Sequence, residues 1–249
     1  MAGAVKISVC VATYEGEPYI QQQLESVLSQ LGAGDEVVVS DDCSKDGTLA
    51  VVEALGDPRV RVLRNATNLG YTKNFARALS ASTGDVVFIC DQDDVWLPGK
   101  VDTMVKALQS HDLVVADVTV VDQNLTVVDD SHFALHGVRT GFLTNFLHTR
   151  YIGASMAMRR SVLDLSLPLP PNAAYCAYDY WITLVAEALF DVGLVTTPQM
   201  LYRRHGSNAS TGGSRSTNSL SHRLWVRVYC LAHLFPRFLR ARRTGPREE

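Results

Sequence analysis

Apolar and polar positions follow two alternating periods along the first half of the chain. The stretch "KISVCVATY" is a continuous apolar run rich in β-branched residues, the pattern of a strand covered on both faces. From Glu17 to Leu31 the pattern changes, and Tyr19, Ile20, Leu24, Val27, Leu28 and Leu31 recur at helical spacing. The cycle then repeats. "EVVVSDD" predicts a strand and Gly47 to Leu55 a short helix; "VRVLRN" predicts a strand and Tyr71 to Ser82 a helix. "DVVFICD" predicts a strand, and Pro98 to Ser110 a helix that opens on proline, which suits a first-turn position. "DLVVADVTVVD" follows as a further strand.

Strand–helix alternation of this kind predicts an α/β fold with a mostly parallel sheet and helices on both faces. Ligands of such sheets bind beyond the carboxyl ends of the strands. Thr13–Tyr14–Glu15, Asp41–Asp42, Asn65 to Asn68 and Asp91 to Asp94 all stand at those ends, so the strands deliver their polar residues to one rim. Beyond about residue 120, "YIGASMAMRR" reads as a strand, "YDYWITLVAEALF" as a helix and "VGLVTTPQMLYRRH" as a strand. "GSNASTGGSRSTNS" reads as a mobile loop, and a last helix runs from about Leu220 to Arg243.

Composition narrows the function classes. The chain has 249 residues, 47% hydrophobic and 20% charged, which is the make-up of a soluble globular protein. A net charge of -3 argues against nucleic acid as the main partner. The five cysteines (Cys10, Cys43, Cys90, Cys176, Cys230) show neither a zinc spacing nor a disulfide framework. The N-terminus lacks a signal-peptide pattern and no stretch reaches the roughly 20 apolar residues of a membrane span. A reducing cytoplasm is therefore the expected compartment, and the sequons at Asn65, Asn124 and Asn208 are read as coincidental.

The densest chemistry lies in "FICDQDDVW", where an apolar run ends in Asp91, Asp93 and Asp94. Mutual repulsion makes that arrangement costly unless water, a cation or a basic partner answers it. A helix cap accounts for one carboxylate, whereas a hard divalent cation, Mg²⁺ or Mn²⁺, accounts for the group. In "VVVSDDCSKDGT", Asp41 and Asp42 either belong to a turn with Asp46–Gly47 or accept hydrogen bonds from a base or ribose. Neither GxGxxG nor GxxxxGK[ST] is present, so dinucleotide and P-loop readings lack their phosphate device.

Taken in order, "VCVATYEGEPYIQQQLESVLSQ", "VVVSDDCSKDGT", "NATNLGYTKNFARAL", "ICDQDDVWLP", "IGASMAMRR", "YDYW" and "LYRRHGSN" resemble the family 2 nucleotide-sugar glycosyltransferases of the GT-A fold, over about Ile7 to Asn208. The variant "DQDDVWLPGK" with "YDYW" and "YRRHGSN" looks most like their bacterial rhamnosyltransferase-like branch. The resemblance implies one GT-A domain over 1–219, with a nucleotide-binding half of about 1–117 and an acceptor-side half of about 118–219. A basic amphipathic helix and tail, 220–249, follow. It also implies roles. Thr13, Tyr14 and Glu15 line the nucleotide pocket, Asp42 contacts the base, and Lys73 and Arg204 stand near the diphosphate, with Arg203 a comparable candidate for phosphate contact and Gln92 in the donor set. Asp91 and Asp93 form the DXD pair, Asp93 being the direct metal ligand, with Asp94 in support and His205 near metal and diphosphate. Asp179 is the catalytic base; read without the resemblance, it is equally an acid favourable to its helix dipole. Tyr178, Tyr180 and Trp181 would then form a sugar-stacking wall on the acceptor side and raise the Asp179 pKa by desolvation.

The implied reaction is an in-line, inverting transfer of sugar from an NDP-sugar, dTDP- or UDP-linked and with rhamnose among the candidates, to a hydroxyl acceptor. It needs one base and an electrophilic clamp on the leaving diphosphate, unlike a glycosidase with its two working carboxyls. A sugar nucleotidyltransferase would carry a Gly-rich basic loop after the first strand, where this chain has "ATYEGEPYI"; a noncatalytic binding module would not need Asp179 with a full DXD. The arginines of the last helix suit either a core-docking helix with a solvated arginine face or peripheral attachment to an anionic membrane, which fits a lipid-linked acceptor.

Overall fold

The computed structural model describes residues 5–206 and 219–244. The sequon at Asn208, nearly all of the polar loop and the tail from 245 lie outside the described residues. The first half folds as its periods predict, except that the helix expected from Pro98 opens at Lys100 after a left-handed Gly99, so the proline lies in the preceding turn. Strands β1 (Ile7–Thr13), β2 (Glu36–Asp41), β3 (Val60–Arg64) and β4 (Val86–Asp91) pair in parallel in the order β3-β2-β1-β4. Helices α1 (Ile20–Leu28), α2 (Thr48–Ala54) and α3 (Tyr71–Ala81) connect them. The unbroken apolar run of β1 has its cause in this order, for β1 is central and both its faces are covered. Val9 and Val11 pack with Ile20, Leu24 and Val27 of α1, while Cys10 packs on the opposite side with Phe75, Ala78 and Leu79 of α3.

Beyond β4 the sheet changes character. A short strand β5 (Val95–Trp96) and helix α4 (Lys100–Ala107) lead into the long β6 (Leu113–Asp122) and its hairpin partner β7 (Val127–Asp129). Helices α5 (His132–His136) and α6 (Phe142–His148) precede a 3₁₀ turn at Gly153–Ser155, strand β8 (Met156–Arg159) and helix α7 (Arg160–Ser166). Helix α8 (Tyr178–Leu189), strand β9 (Val192–Arg204) and helix α9 (Leu220–Thr244) complete the chain. β8 runs antiparallel to both β4 and β6, and β5 antiparallel to β9, while β6 and β9 are parallel. The sheet is therefore mixed, and the mostly parallel arrangement expected from sequence holds only for its first four strands. Parallel neighbours need a crossover connection, which α1, α2 and α3 supply for β1 to β4; β8, reached through α5 and α6, enters the sheet in the opposite direction between β4 and β6.

The two-residue β5 fixes the site. Val95 pairs with Leu201 and Trp96 with Met200, so the acidic segment after β4 is held at both ends by the sheet. A third apolar cluster, with Leu165, Trp181, Leu184, Val185, Cys230 and Leu234, docks α9 on α7 and α8. Cys230 Sγ lies 3.3 Å from Cys176 Sγ in that cluster. The helix thus docks on the core, as one of the two readings expected, and its solvent side carries exposed apolar residues as well as Arg240 and Arg242.

Candidate active site

The carboxyl ends of β1, β2 and β4 meet at one rim, and each acid there is held differently. Asp42 is almost fully buried. Its Oδ1 accepts from Asn65 Nδ2 and Leu69 N, and its Oδ2 from Gly70 N, each at 2.8 Å. Those bonds fold the "NATNLG" segment over β2, so Asp42 braces a loop beneath the rim and does not present a free carboxylate to a base. Gln92 is also engaged: its Oε1 accepts from Tyr14 N at 2.9 Å and its Nε2 donates to the Tyr14 carbonyl at 3.0 Å. It straps the end of β1 to the end of β4. Thr13 is buried and donates to Asp41 Oδ2 at 3.1 Å, which leaves Tyr14 and Glu15 as the exposed residues of their trio.

At the end of β4, Asp91, Asp93 and Asp94 each bring a carboxylate oxygen within 4.8 Å of the others. Asp93 and Asp94 are buried and Asp91 is half-buried. His205, delivered by β9, places Nε2 2.8 Å from Asp93 Oδ2, and Tyr19 stacks on its ring. Asp94 Oδ1 accepts from Arg203 N at 2.9 Å, while the buried Oδ2 has no hydrogen-bond partner. Burial first, and then the neighbouring carboxylates, push Asp91 up to about 8 and Asp94 well above the usual aspartate range. A hard divalent cation fits this donor set: clustered carboxylate oxygens, one of them orphaned, with an imidazole nitrogen alongside.

Two basic residues support the cluster: Lys100, which sequence reading missed, and Arg203, read from sequence with Arg204 as a candidate phosphate contact. Lys100 is completely buried beneath it, with Nζ 3.3 Å from the Ala154 carbonyl and 4.2 Å from the centre of the Trp96 ring. Burial lowers its pKa to about 8, against the attraction of Cys90, Asp94 and Asp91. A lysine just after "WLPG" is ordinarily a surface residue, so no sequence signal marks it. Arg203 is also buried, and Arg204 is the more open of the pair. Arg203 donates to the Asp93 carbonyl at 2.7 Å, to the Gln123 carbonyl at 2.8 Å and to Gln22 Oε1 at 2.7 Å. It clamps the acidic segment from behind, while Arg204 lies against Tyr202. Lys73 is exposed on α3 and lines a groove with Leu167 to Pro171; its side chain makes no hydrogen bond or ion pair among the described residues.

Asp179 sits in the first turn of α8, half-buried, with Oδ1 accepting from its neighbour's amide, Tyr180 N, at 2.8 Å. Burial raises its carboxyl above the usual range. Its charge adds to the upward push on Asp91 and on the Tyr71 phenol, so Asp179 lies within electrostatic reach of both, and the Tyr71 ring stands 6.3 Å from that of Tyr178, the residue before Asp179. Gly153 makes the approach feasible, because a Cβ there would stand 2.5 Å from the Tyr178 hydroxyl and 3.0 Å from Asp179 Cβ. The expected aromatic wall is corrected. Trp181 is fully buried with Nε1 donating to the Ser166 carbonyl, Tyr180 donates to the Phe146 carbonyl, and Tyr178 is buried against Phe75 at 4.1 Å. A helix buried on nearly all sides turns its aromatics into core, and the aromatic left at the opening is Tyr71, exposed at 49%.

The family of the chain follows from its sequence. The sequence model described as Glycosyl transferase family 2 matches residues 8–166, more than half of the length. The chain belongs to glycosyl transferase family 2. It is 27% identical over 228 residues to an uncharacterized glycosyltransferase of Nostoc, an alignment covering 86% of this chain and 69% of that one. With the putative glycosyltransferase EpsE of Bacillus subtilis it shares 30% over 142 residues, 56% of this chain and 49% of EpsE. The chain thus spans about half of the latter relative. Its fold matches that of Staphylococcus aureus TarS 1-349 in complex with UDP-GlcNAc, with a TM-score of 0.67 at 22% identity, covering 96% of this chain and 74% of that one. A mannosyltransferase of Pyrobaculum calidifontis in complex with GDP-Man and Mn²⁺ gives 0.62 at 21%, covering 98% and 66%. The fold is GT-A, with a curled mixed sheet and the helix α9 added.

Proposed function

We propose that this family 2 transferase moves a sugar, with inversion, from a dTDP- or UDP-linked donor to a hydroxyl of a glycan, lipid-linked or small-molecule acceptor. Rhamnose is among the candidate sugars, on the branch resemblance of "DQDDVWLPGK" and "YRRHGSN". The observation that supports the reading is the clustering of Asp91, Asp93 and Asp94 at the end of β4, with Asp179 of α8 within electrostatic reach of Asp91 although the two are far apart in sequence. Support for a divalent ion comes from the orphaned Asp94 oxygen and from the Mn²⁺ of the Pyrobaculum enzyme. The donors of Glycosyl transferase folds such as TarS, UDP-GlcNAc, and the mannosyltransferase, GDP-Man, support a nucleotide sugar here.

In this reading Asp93, Asp91 and Asp94, with His205, hold Mg²⁺ or Mn²⁺, which would neutralise the leaving diphosphate. Tyr14 and Glu15 contact the nucleoside, and Lys73 and Arg204 supply positive charge toward the diphosphate. Asp179 accepts the proton of the attacking hydroxyl, and Tyr71 offers a ring face to the acceptor. Burial of Asp179 makes it a stronger base than an exposed aspartate, and moves the acid limb of the rate to higher pH. Transfer should therefore decline as pH falls through the raised pKa. The cytoplasm is the compartment proposed, with peripheral attachment at the inner face of the plasma membrane as the alternative. No helix among the described residues is long and apolar enough to cross a membrane.

The test is a screen of nucleotide sugars with Mn²⁺, reading melting temperature and nucleoside diphosphate release. A donor that stabilises the wild type should equally stabilise Asp179→Asn, whose turnover falls by about 10²–10⁴-fold. Near-wild-type turnover in Asp179→Asn would remove it as the base.

A further inference from the structure

Helix α9 turns an apolar face to water. Cys230 and Leu234 are buried in the contact with α7 and α8, with Val226 and Tyr229 packed beside them. On the other side, Leu224, Val228, Leu231, Phe235 and Leu239 recur every three or four residues and so share one stripe. All five are exposed, Leu224 at 65% and Phe235 at 63%, and Trp225 widens the stripe at 55%. Isolated exposed apolar residues are normal, but a stripe along most of a 25-residue helix is not.

The charge of the helix points to what covers it. From Leu220 to Thr244 there are six arginines and no aspartate or glutamate. By helical periodicity Arg223 and Arg227 fall to one side of the stripe and Arg240 to the other. Arg227 Nη2 also donates to the Leu147 carbonyl at 2.6 Å, tying α9 to the end of α6, where Leu143 and Leu147 are exposed in turn. Beside them Arg139, His148 and Arg150 line an open cleft of about 340 Å³. Apolar side chains are thus framed by basic groups on α9 and at the two ends of α6.

We propose that α9, with α6 beside it, docks the chain on the surface of a bilayer rich in anionic phospholipid. The stripe enters the boundary of headgroups and acyl chains, and the arginines meet the phosphates. A second copy fits this surface poorly, since it would bring together two arginine-rich helices that hold no acid to answer them. The docking face is also fixed relative to the opening, because α9 packs on α8 and the first turn of α8 carries Asp179.

The experiment is flotation of the full chain with vesicles of phosphatidylcholine, with and without one quarter phosphatidylglycerol, read apart from any transfer activity. The wild type should float with the anionic vesicles, remain unbound on phosphatidylcholine alone, and release as salt rises. The exposed double variant Leu231→Glu/Phe235→Glu should keep the wild-type melting temperature and lose at least about tenfold in binding. Failure of the wild type to float, equal flotation of the folded double variant, or equal binding to neutral vesicles would each overturn the proposal. A wild-type dimer in light scattering that the double variant dissolves would assign the stripe to a second copy.

Discussion

The ends of β2 and β4 flank β1, and both finish in neighbouring buried acids, yet they are answered in opposite ways. Asp41 and Asp42 are met on every oxygen: Asp41 by Ser44 N, Ser44 Oγ and Thr13 Oγ1, and Asp42 by three donors of the Asn65–Gly70 segment. At β4 the donors run short. Asp94 keeps a buried oxygen without a hydrogen-bond partner, and burial with mutual repulsion drives Asp91 and Asp94 upward. Acids that the chain itself neutralises build a loop; acids left short of donors are arranged to receive something.

The contrast can be broken by exchanging losses between the two ends. Asp93→Ala should cost transfer about 10²–10³-fold while the melting temperature in chelator stays within a few degrees of wild type. Asp42→Ala should do the reverse, stranding the buried Asn65 and Gly70 donors and destabilising the fold by about 3 kcal/mol, measured by denaturant unfolding. If Asp42→Ala unfolded no more readily than Asp93→Ala, the two ends would not differ as described.

The pH dependence of stability sharpens the same point. In chelator the folded chain keeps protons on Asp91 and Asp94 that the unfolded chain has released, so folding binds protons. Stability should therefore fall as pH rises from the ordinary aspartate range through about 8, the value of Asp91. Melting curves with Mn²⁺ should lose that slope, because a bound cation keeps the acids ionised. Identical slopes with and without Mn²⁺ would argue that the cluster holds no metal. The smallest effect expected is that of Gly153→Ala, whose added methyl displaces Tyr178 and the first turn of α8. Transfer should drop about tenfold with donor stabilisation unchanged, a misplacement of the base and not of the cation site.

Legibility in the sequence divides along similar lines. β1 to β4 and their helices could be read because each has a continuous apolar run or a clean helical period, and turn residues between. The acidic cluster was legible for the same reason that it is costly: three carboxylates in four positions have few uses. β5, β7 and α5 are too short to show a period, α6 and α7 lack the strands on both sides that made the equally short α2 legible, and β8 gives no sign that it runs antiparallel. On α8, apolar residues surround the helix, so pattern could not say which aromatics face inward, and Trp181 was misread as a sugar contact. Lys100 was hidden by its type, since a fully buried lysine runs against composition rules and is found only when its neighbours are known; Arg203 was legible as a basic candidate beside Arg204, but its burial behind the acidic segment was not.

The pairing of His205 with Asp93 joins residues 112 positions apart. During synthesis the acids leave the ribosome with the first half of the chain, well before the strand that carries Arg203 and His205 exists. Until β9 arrives, nothing closes the acidic segment from behind or aligns β5 with a partner. This rim is therefore the last part of the sheet to be completed, and a nascent chain that holds only β1 to β4 still lacks the residues that close the acidic cluster.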